Sequence, residues 1–209
     1  MLEIELLHQE IRLCRACTEA GFSVEPPPLV SGHAPATFML IGQAPSRSDQ
    51  LNQHMYTGPA AQKLFVWLRS AGFTDDDFGG IFYLTALTKC FPGRLPGKST
   101  DRAPSSREMA LCSHWLTSQL AIVRPKAVLL FGKMAVDRFL GPGSMTDRIG
   151  QTFHQGGIEY IPLPHSSGAS TWLNYPENRA RLALALEIVR QVRLRVLAEA
   201  VSPTAPASG

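Results

Sequence analysis

The amino-acid sequence predicts an α/β fold: a single domain with a central four-stranded parallel sheet flanked by helices. Four short apolar segments alternate with helical segments, an order that builds a parallel sheet covered by helices on both faces. The 209 residues contain no internal repeat or linker, and this length suits one domain with a sizeable core. We expect one domain over residues 1–200, followed by a disordered Pro/Ala/Ser tail at residues 201–209.

Each predicted strand is a short run of apolar, aromatic or β-branched residues, a composition typical of buried strands. The strands are expected at residues 37–42, 80–87, 127–131 and 158–163. In open α/β sheets, ligands bind at the carboxyl ends of the strands. The loops that follow Gly42 and Leu163 therefore indicate a pocket at that edge of the sheet.

The helices are predicted from apolar residues at helical spacing and from residues that begin or end helices. A periodic apolar pattern indicates a first helix over residues 3–20. Pro59 suits the first turn of a second helix, which Gly72 ends. The remaining helices are expected at residues 105–123, 132–140 and 176–198.

Charge and hydropathy narrow the function only slightly. The formal net charge of +3 is mild and does not by itself mark a nucleic-acid-binding protein. No apolar run reaches the roughly 18–20 residues that a membrane span needs. The first residues carry acids and no basic segment, unlike a secretory signal, so we expect a cytoplasmic protein.

Four cysteines form the clearest candidate metal site. Cys14 and Cys17 have the spacing usual for two ligands of one metal centre, and Cys90 and Cys112 lie near a strand end and in a helix. Four thiolates suit zinc or a [4Fe–4S] cluster, and spacing alone does not separate the two. The alternative is an incidental pair plus two buried core thiols.

Two loops of small residues are the candidate pocket walls. The first turns through Gly42, Gln43, Ala44, Pro45 and Ser46, and small residues with proline let a backbone approach a ligand closely. The second loop lies late in the chain. It reads Pro164, His165, Ser166, Ser167, Gly168, Ala169 and Ser170.

Together these segments resemble the iron–sulfur uracil-DNA glycosylases of the family-4 type, as a divergent member of that superfamily. The resemblance rests on the order and spacing of six segments over nearly the whole chain. They are Cys14/Cys17, the loop at residues 42–46, the stretch at residues 55–61, the segment at residues 86–90, Cys112 and the loop at residues 165–167.

The resemblance implies a [4Fe–4S] cluster held by the four cysteines, and removal of uracil from DNA. A flipped-out base would stack on Tyr56, and His165 would stabilise the departing base anion. The alternatives are a core tyrosine and a structural histidine. Trp172 would either wedge into the DNA or simply pack on the core.

Three residues depart from the family pattern. Gln43 replaces an acid and can orient water or a base edge, but it cannot act as a general base. Ala86 stands where the family reads the pyrimidine with asparagine, and Ser166 stands for a proline. Asp49 is a weaker candidate for an electrostatic role, with a solvated loop acid as the alternative.

The expected substrate site comprises Gly42, Gln43, Ala44, Tyr56, Ala86 and His165, with His165 and Gln43 as the catalytic pair. The expected DNA contacts are Ser46, Arg47, Lys89, Ser166, Ser167, Gly168 and Ser170. The basic loop at residues 89–107 would add phosphate contacts, or is only a solvated loop.

These expectations describe a monofunctional uracil-DNA glycosylase that acts on uracil, and on other deaminated bases, in DNA. The rival is a binding protein for damaged or abasic DNA that has kept the fold and lost the chemistry. A third interpretation, a small-nucleotide-binding protein, has less support, because no Gly-rich phosphate loop precedes a helix. We expect a monomer with no membrane partner.

Overall fold

The computed structural model describes residues 2–167 and 171–201. Five strands form one sheet in the order β2-β1-β3-β5-β4. They are β1 (Phe38–Gly42), β2 (Phe82–Ala86), β3 (Ala127–Phe131), β4 (Phe153–Gln155) and β5 (Ile158–Leu163). Strands β1, β2, β3 and β5 are parallel, which confirms the predicted α/β fold and its four parallel strands.

The short edge strand β4 was not predicted. It has three residues and pairs antiparallel with β5 across the turn formed by Gly156 and Gly157. Both glycines have positive φ, as a two-residue hairpin turn requires. The Gly-Gly pair was therefore the available signal, but the exposed, mostly polar strand before it offered no apolar run to recognise.

Helices cover both faces of the sheet. Their bounds are α1 (Leu2–Leu13), α2 (Ala16–Glu19), α3 (Arg47–Asn52), α4 (Pro59–Ser70), α5 (Asp75–Gly80), α6 (Ser106–Val123), α7 (Lys133–Leu140), α8 (Met145–Arg148) and α9 (Pro176–Val201), with a 3₁₀ turn at Trp172–Asn174. No helix in the described ranges is long and apolar enough to cross a membrane.

The single helix predicted over residues 3–20 is instead two helices, because the chain breaks at Cys14 and Arg15. The Arg15 guanidinium donates to the carbonyl oxygens of Arg12 and Cys14, at 3.1 and 2.8 Å. These bonds satisfy carbonyl groups at the end of α1. The break places Cys14 before α2 and Cys17 within it.

Two short helices in predicted loops, α3 and α5, begin with capping boxes. Ser46 caps α3 by accepting from the backbone of Asp49, and Thr74 caps α5 by accepting from Asp77. Short capped helices of six residues have too few apolar positions to show a helical period. At the other end of the chain, α9 includes Val201, the first residue of the predicted tail, and residues 202–209 lie outside the described part.

The sheet separates two apolar layers, since alternate strand residues point to opposite faces. One layer packs against α4 and α9, and the other against α1, α6 and α7. The first contains Phe38, Leu40, Phe82, Leu84, Leu129, Ile161, Leu64, Leu68, Val189 and Val192. The second contains Met39, Ile41, Tyr83, Val128, Leu130, Ile4, Ile11, Leu116 and Val136.

Candidate active site and four-cysteine centre

The carboxyl ends of the parallel strands bring the two predicted pocket loops to one edge of the sheet. Gly42 ends β1 and pairs with Ala86, which ends β2. Phe131 ends β3 beside Leu163, which ends β5. Gln43 and the loop that contains His165 are far apart in the chain. Both therefore lie at the same edge of the sheet, as the sequence predicts.

His165 lies against the end of β3. Its imidazole stacks on the Phe131 ring, with centroids 4.7 Å apart and an interplanar angle of 25°. Gly132 has φ +87°, and a Cβ there would lie 3.3 Å from His165 Cδ2. Glycine thus allows the imidazole to sit close to the backbone, and sequence reasoning missed this support. The available signal was the end of the predicted strand at residue 131, which places Phe131 and Gly132 at the same edge of the sheet as the histidine loop.

Ser167 is the hydrogen-bond partner of the His165 imidazole. The Ser167 backbone N–H donates to His165 Nδ1 at 3.3 Å, and the Ser167 hydroxyl lies 2.8 Å from the same nitrogen. Burial lowers the pKa of His165 below its usual value. With Nδ1 as the acceptor from the Ser167 N–H, a neutral ring would carry its proton on Nε2.

Ser166 joins the late loop to the start of α4. Its side chain is 2% exposed and its hydroxyl donates to the Ala60 carbonyl oxygen. The predicted phosphate contact by Ser166 is therefore corrected, because the hydroxyl is buried and already bonded. The same bond holds the late loop against the start of α4, which follows the segment that carries Tyr56.

Tyr56 lies at the ends of β1 and β2 and has the left-handed backbone φ of +62°. Its hydroxyl donates to the Thr85 carbonyl oxygen at 2.8 Å. Burial, and then the nearby Asp49 carboxylate, raise the pKa of Tyr56 well above its usual value. A Cβ at Gly42 would lie 2.8 Å from this hydroxyl, so the close approach requires glycine.

Asp49 is buried and fixes the segment that carries Tyr56. One carboxylate oxygen accepts from the Ser46 backbone N–H at 2.8 Å. The other accepts from the Thr57 backbone N–H at 2.6 Å and from the Thr57 hydroxyl at 3.0 Å. Both oxygens are therefore engaged, and Asp49 is not the solvated loop acid weighed from the sequence.

Gln43 and Ala86 have different surroundings. The Gln43 carbonyl accepts from the Thr88 backbone N–H at 3.3 Å, while its half-buried amide makes no hydrogen bond within the described ranges. That amide is free to bind water or a base edge. Ala44, the next residue, is also half-buried. Ala86 is 1% exposed, and its carbonyl accepts from Lys89 Nζ.

A cavity of about 470 Å³ opens beside Tyr56, between the edge strand β2, α4 and α5. Phe65, Phe78 and Leu84 supply its apolar wall, and residues 31–33 with His54 supply its polar rim. Among the predicted site residues its lining includes Tyr56, but neither Gln43 nor His165. The joint pocket of all three side chains stays a prediction.

The four cysteines converge on one small cavity, although they come from three separate segments of the chain. Cys14, Cys17, Cys90 and Cys112 all line a space of about 20 Å³, and all four are free thiols. Burial, and then the other thiols, raise the pKa of Cys17 to about 11 and that of Cys90 to about 12. Protons alone would therefore keep these thiols neutral, whereas a bound metal would hold them as thiolates.

The thiols are not arranged for one small ion. No three His, Cys, Asp or Glu side chains of the described residues are placed to hold a single metal ion. A tetrahedral zinc site, with Zn–S of about 2.3 Å, needs sulfurs only about 3.8 Å apart. The donor set of four convergent thiols matches a [4Fe–4S] cluster in number, because each iron of such a cluster takes its own cysteine.

A buried polar chain runs beneath this edge of the sheet. Lys89 Nζ donates to Thr85 Oγ1 at 2.9 Å, and Thr85 Oγ1 donates to Gln119 Oε1 at 3.0 Å. Gln119 Nε2 donates to the Tyr83 oxygen at 2.8 Å, which leaves the Tyr83 hydrogen for His8 Nε2 at 2.7 Å. Burial, and then a nearby arginine, lower the pKa of His8 to about 4.

The remaining predicted DNA contacts are largely engaged within the protein. Lys89 is 1% exposed, so the predicted phosphate contact is corrected: its ammonium group is enclosed by protein. Ser46 caps α3, and the Arg47 guanidinium bonds Glu25 at 2.7 Å. Gly168 and Ser170 lie outside the described residues.

Trp172 packs on the core, as one of the two alternatives expected. Its ring borders the apolar layer beneath α4 and α9, and its Nε1–H donates to Thr146 Oγ1 at 3.0 Å. The indole is therefore held by protein contacts in the DNA-free structure.

Comparison with known proteins gives a consistent set of relatives. The model of the uracil DNA glycosylase superfamily matches residues 30–190. A type-4 uracil-DNA glycosylase of Archaeoglobus fulgidus is 28% identical over 135 residues, or 65% of this chain and 62% of that protein. A type-5 uracil-DNA glycosylase of Pyrobaculum aerophilum is 28% identical over 174 residues, covering 77% and 72%.

A type-4 uracil-DNA glycosylase of Thermotoga maritima is 24% identical over 167 residues, covering 78% of this chain and 81% of that protein. The shared length varies among these relatives. The alignment spans less than two thirds of the Archaeoglobus protein, but most of the Thermotoga protein.

Proposed function

This chain belongs to the uracil DNA glycosylase superfamily, and we propose that it hydrolyses the N-glycosidic bond of uracil in DNA and leaves an abasic site. The observation that carries the proposal is the position of His165, which is half-buried, stacks on Phe131 and accepts from the Ser167 backbone N–H at Nδ1. Its Nε2–H is then available as a donor at the carboxyl edge of the sheet.

Cleavage of the glycosidic bond builds negative charge on the departing base and positive charge on the sugar. A fixed donor at the base carbonyl oxygen stabilises that anion, and one such donor is worth about 10²–10³ in rate. His165 supplies this donor without carrying a charge, because burial lowers its pKa. Ser167 orients the ring and fixes which nitrogen holds the proton.

Recognition of the base falls to Tyr56, Gln43 and the adjoining backbone. The Tyr56 ring is fixed at the strand ends by its hydroxyl, which suits it as a stacking surface for a pyrimidine. The Gln43 amide can donate to one base atom and accept from another. Because Ala86 offers no polar side chain, base selection rests on Gln43 and backbone groups of Gly42 and Ala44.

The hydrolytic water is oriented rather than deprotonated. Gln43 holds no carboxylate, and both oxygens of Asp49 are engaged by Ser46 and Thr57. The loops at residues 42–58 and 164–173 contain no lysine, so neither provides an amine for a lyase step. The enzyme is accordingly monofunctional, and other deaminated bases remain candidate substrates.

The cofactor that this site suits is a [4Fe–4S] cluster held by Cys14, Cys17, Cys90 and Cys112. When bound, the cluster supplies iron–thiolate bonds that join the chain segments around α2, β2 and α6. The convergence of four thiols on one cavity supports this choice, because each iron of a [4Fe–4S] cluster takes its own cysteine.

The proposed partner is DNA that contains uracil or an abasic site. A catalytically weak DNA-damage binding protein is the second candidate, favoured by the absence of a carboxylate at Gln43 and of an amide at Ala86. Both candidates predict DNA binding that weakens with salt. They differ only in whether the protein releases the base from DNA.

The deciding experiment incubates the purified, iron-loaded protein with labelled oligonucleotides and then treats them with alkali, which cuts at abasic sites. Substrates should carry uracil, hypoxanthine or xanthine in single- and double-stranded forms. Cutting of uracil DNA only after alkali supports a monofunctional glycosylase. Binding without release of any of these bases supports the binding protein instead.

A further inference from the structure

The Thr88 hydroxyl is a buried polar group without a protein partner. The residue is 4% exposed, and its Oγ1 makes no hydrogen bond to any described residue. A buried hydroxyl left unpaired costs about 1–3 kcal/mol. Thr88 lines the cavity on which the four cysteines converge, so the missing partner is expected there.

Lys89, the next residue, gives an independent indication from the same wall. Its ammonium group is 1% exposed and donates only to neutral oxygens, Thr85 Oγ1 and the Ala86 carbonyl. None of the ion pairs among the described residues includes it. Because Lys89 lines the same cavity, a negatively charged occupant would stabilise this buried cation.

The cysteines define that occupant. Four thiolates make an iron–sulfur cluster negative overall, and hydrogen bonds to cluster sulfurs are a principal control of its reduction potential. We propose that the Thr88 hydroxyl donates a hydrogen bond to a sulfur of the cluster held by the four cysteines. The inference rests on the proposed cofactor and not on the proposed glycosylase activity.

Thr88 also contacts the candidate active site. Its backbone N–H donates to the Gln43 carbonyl oxygen at 3.3 Å, while its side chain lines the cysteine cavity. One residue therefore touches both the cluster and the loop that carries Gln43. The donor role belongs to the side chain, so it can be removed without altering this backbone bond.

The test is Thr88→Val in the full-length, iron-loaded protein. Valine keeps the shape of threonine and removes only a hydroxyl that no protein group uses, so folding should be preserved. Thr18→Val is the matched control. Thr18 lines the same cavity, but its hydroxyl already donates to the Arg15 carbonyl at 2.8 Å.

Two measurements read the effect on the cluster. A donor to sulfur stabilises the reduced, more negative cluster, so Thr88→Val should disfavour reduction about 3- to 10-fold. The midpoint potential then becomes more negative, by about 59 mV for tenfold in a one-electron couple. The rate of iron release to a ferrous chelator should rise in Thr88→Val, and Thr18→Val should match the wild type in both.

The proposal is overturned if Thr88→Val keeps the wild-type potential and iron-release rate. It is also overturned if Thr18→Val shifts both as much, because the effect would then be one of packing. A wild-type protein that binds no iron overturns it as well. Uracil release, measured separately, would in that case still decide the glycosylase proposal.

Discussion

Ser166 donates its hydroxyl hydrogen to the carbonyl oxygen of Ala60, although the two residues are 106 positions apart in the chain. The bond ties the loop that carries His165 to the first turn of α4, which follows the segment of Tyr56. The buried Ser166 hydroxyl therefore helps to fix the position of His165, the candidate donor, relative to Tyr56, the candidate stacking ring. This relationship is a direct target for mutation.

Ser166→Ala should lower the free energy of unfolding by about 1 kcal/mol, the net value of a typical hydrogen bond, and slow uracil release. Denaturant unfolding and single-turnover assays measure the two effects. Ser70→Ala is the control, because Ser70 also bonds a backbone carbonyl but lies exposed at the end of α4. Equal losses in both variants would show that the Ser166 bond has no special role in the site.

His165→Ala should reduce the rate of uracil release about 10²-fold or more, because it removes the donor to the departing anion. Binding of abasic DNA should change much less, since that product has no base to stabilise. His154→Ala is the control, as His154 lies exposed on β4. Near-normal turnover in His165→Ala would remove this residue from the mechanism.

The pH dependence of turnover should reflect the titration of His165. Burial lowers its pKa, so the neutral ring persists below the usual value of 6.5. Single-turnover rates should stay level as the pH falls to about 6.5 and decline only at lower pH. A decline centred above 6.5 in the wild type, or the same decline in His165→Ala, would contradict this assignment.

Stability should fall in acid because of His8. Its folded-state pKa of about 4 lies below the unfolded value of 6.5. Between these values the unfolded chain binds a proton that the folded chain does not, so stability is lost as the pH falls from about 6.5 to 4.

His8→Gln should lessen this acid sensitivity, because glutamine keeps an acceptor for the Tyr83 hydroxyl and takes up no proton. Denaturant unfolding at pH 7 and pH 5 measures the difference, with His154→Gln as the exposed control. An unchanged pH slope in His8→Gln would assign the acid sensitivity to other groups.

The sequence predicted the strands well because they are short, apolar and separated by clear helix signals. Strand β1 and strand β3 were readable for this reason, since every residue in them is buried. Strand β4 and helix α3 were not, because a three-residue exposed strand and a six-residue capped helix have no periodic pattern. Their formation depends on Gly156, Gly157 and the Ser46–Asp49 capping box.

The sequence predicted where the candidate site residues lie in the fold, but not which groups they contact. The strand-end rule brought Gln43 and His165 to one edge, yet the partners that define their chemistry are backbone atoms of Thr88 and Ser167. Such contacts leave no mark on side-chain spacing. The phosphate contact predicted for Lys89 was wrong because lysine is rarely buried, and only the fold shows that this side chain is enclosed by protein.

The cluster proposal makes the last prediction. Cys112→Ser should sharply lower the iron content and the visible absorbance of the purified protein, because the hydroxyl oxygen of serine is a poorer ligand than a thiolate for the iron of a cluster. The thermal unfolding midpoint should fall as well, since the α6 ligand no longer joins α2 and the segment after β2. Cys90→Ser should behave in the same way, as all four thiols line one cavity.

Wild-type protein stripped of iron by a chelator is the control, because it separates the loss of the cluster from the change of side chain. If the cluster is the main link, stripped wild type and Cys112→Ser should unfold at similar temperatures, and the substitution should add little once iron is absent. Full iron content in both serine variants, or a colourless wild type that binds zinc, would reject the cluster. The glycosylase proposal would then depend on His165 alone.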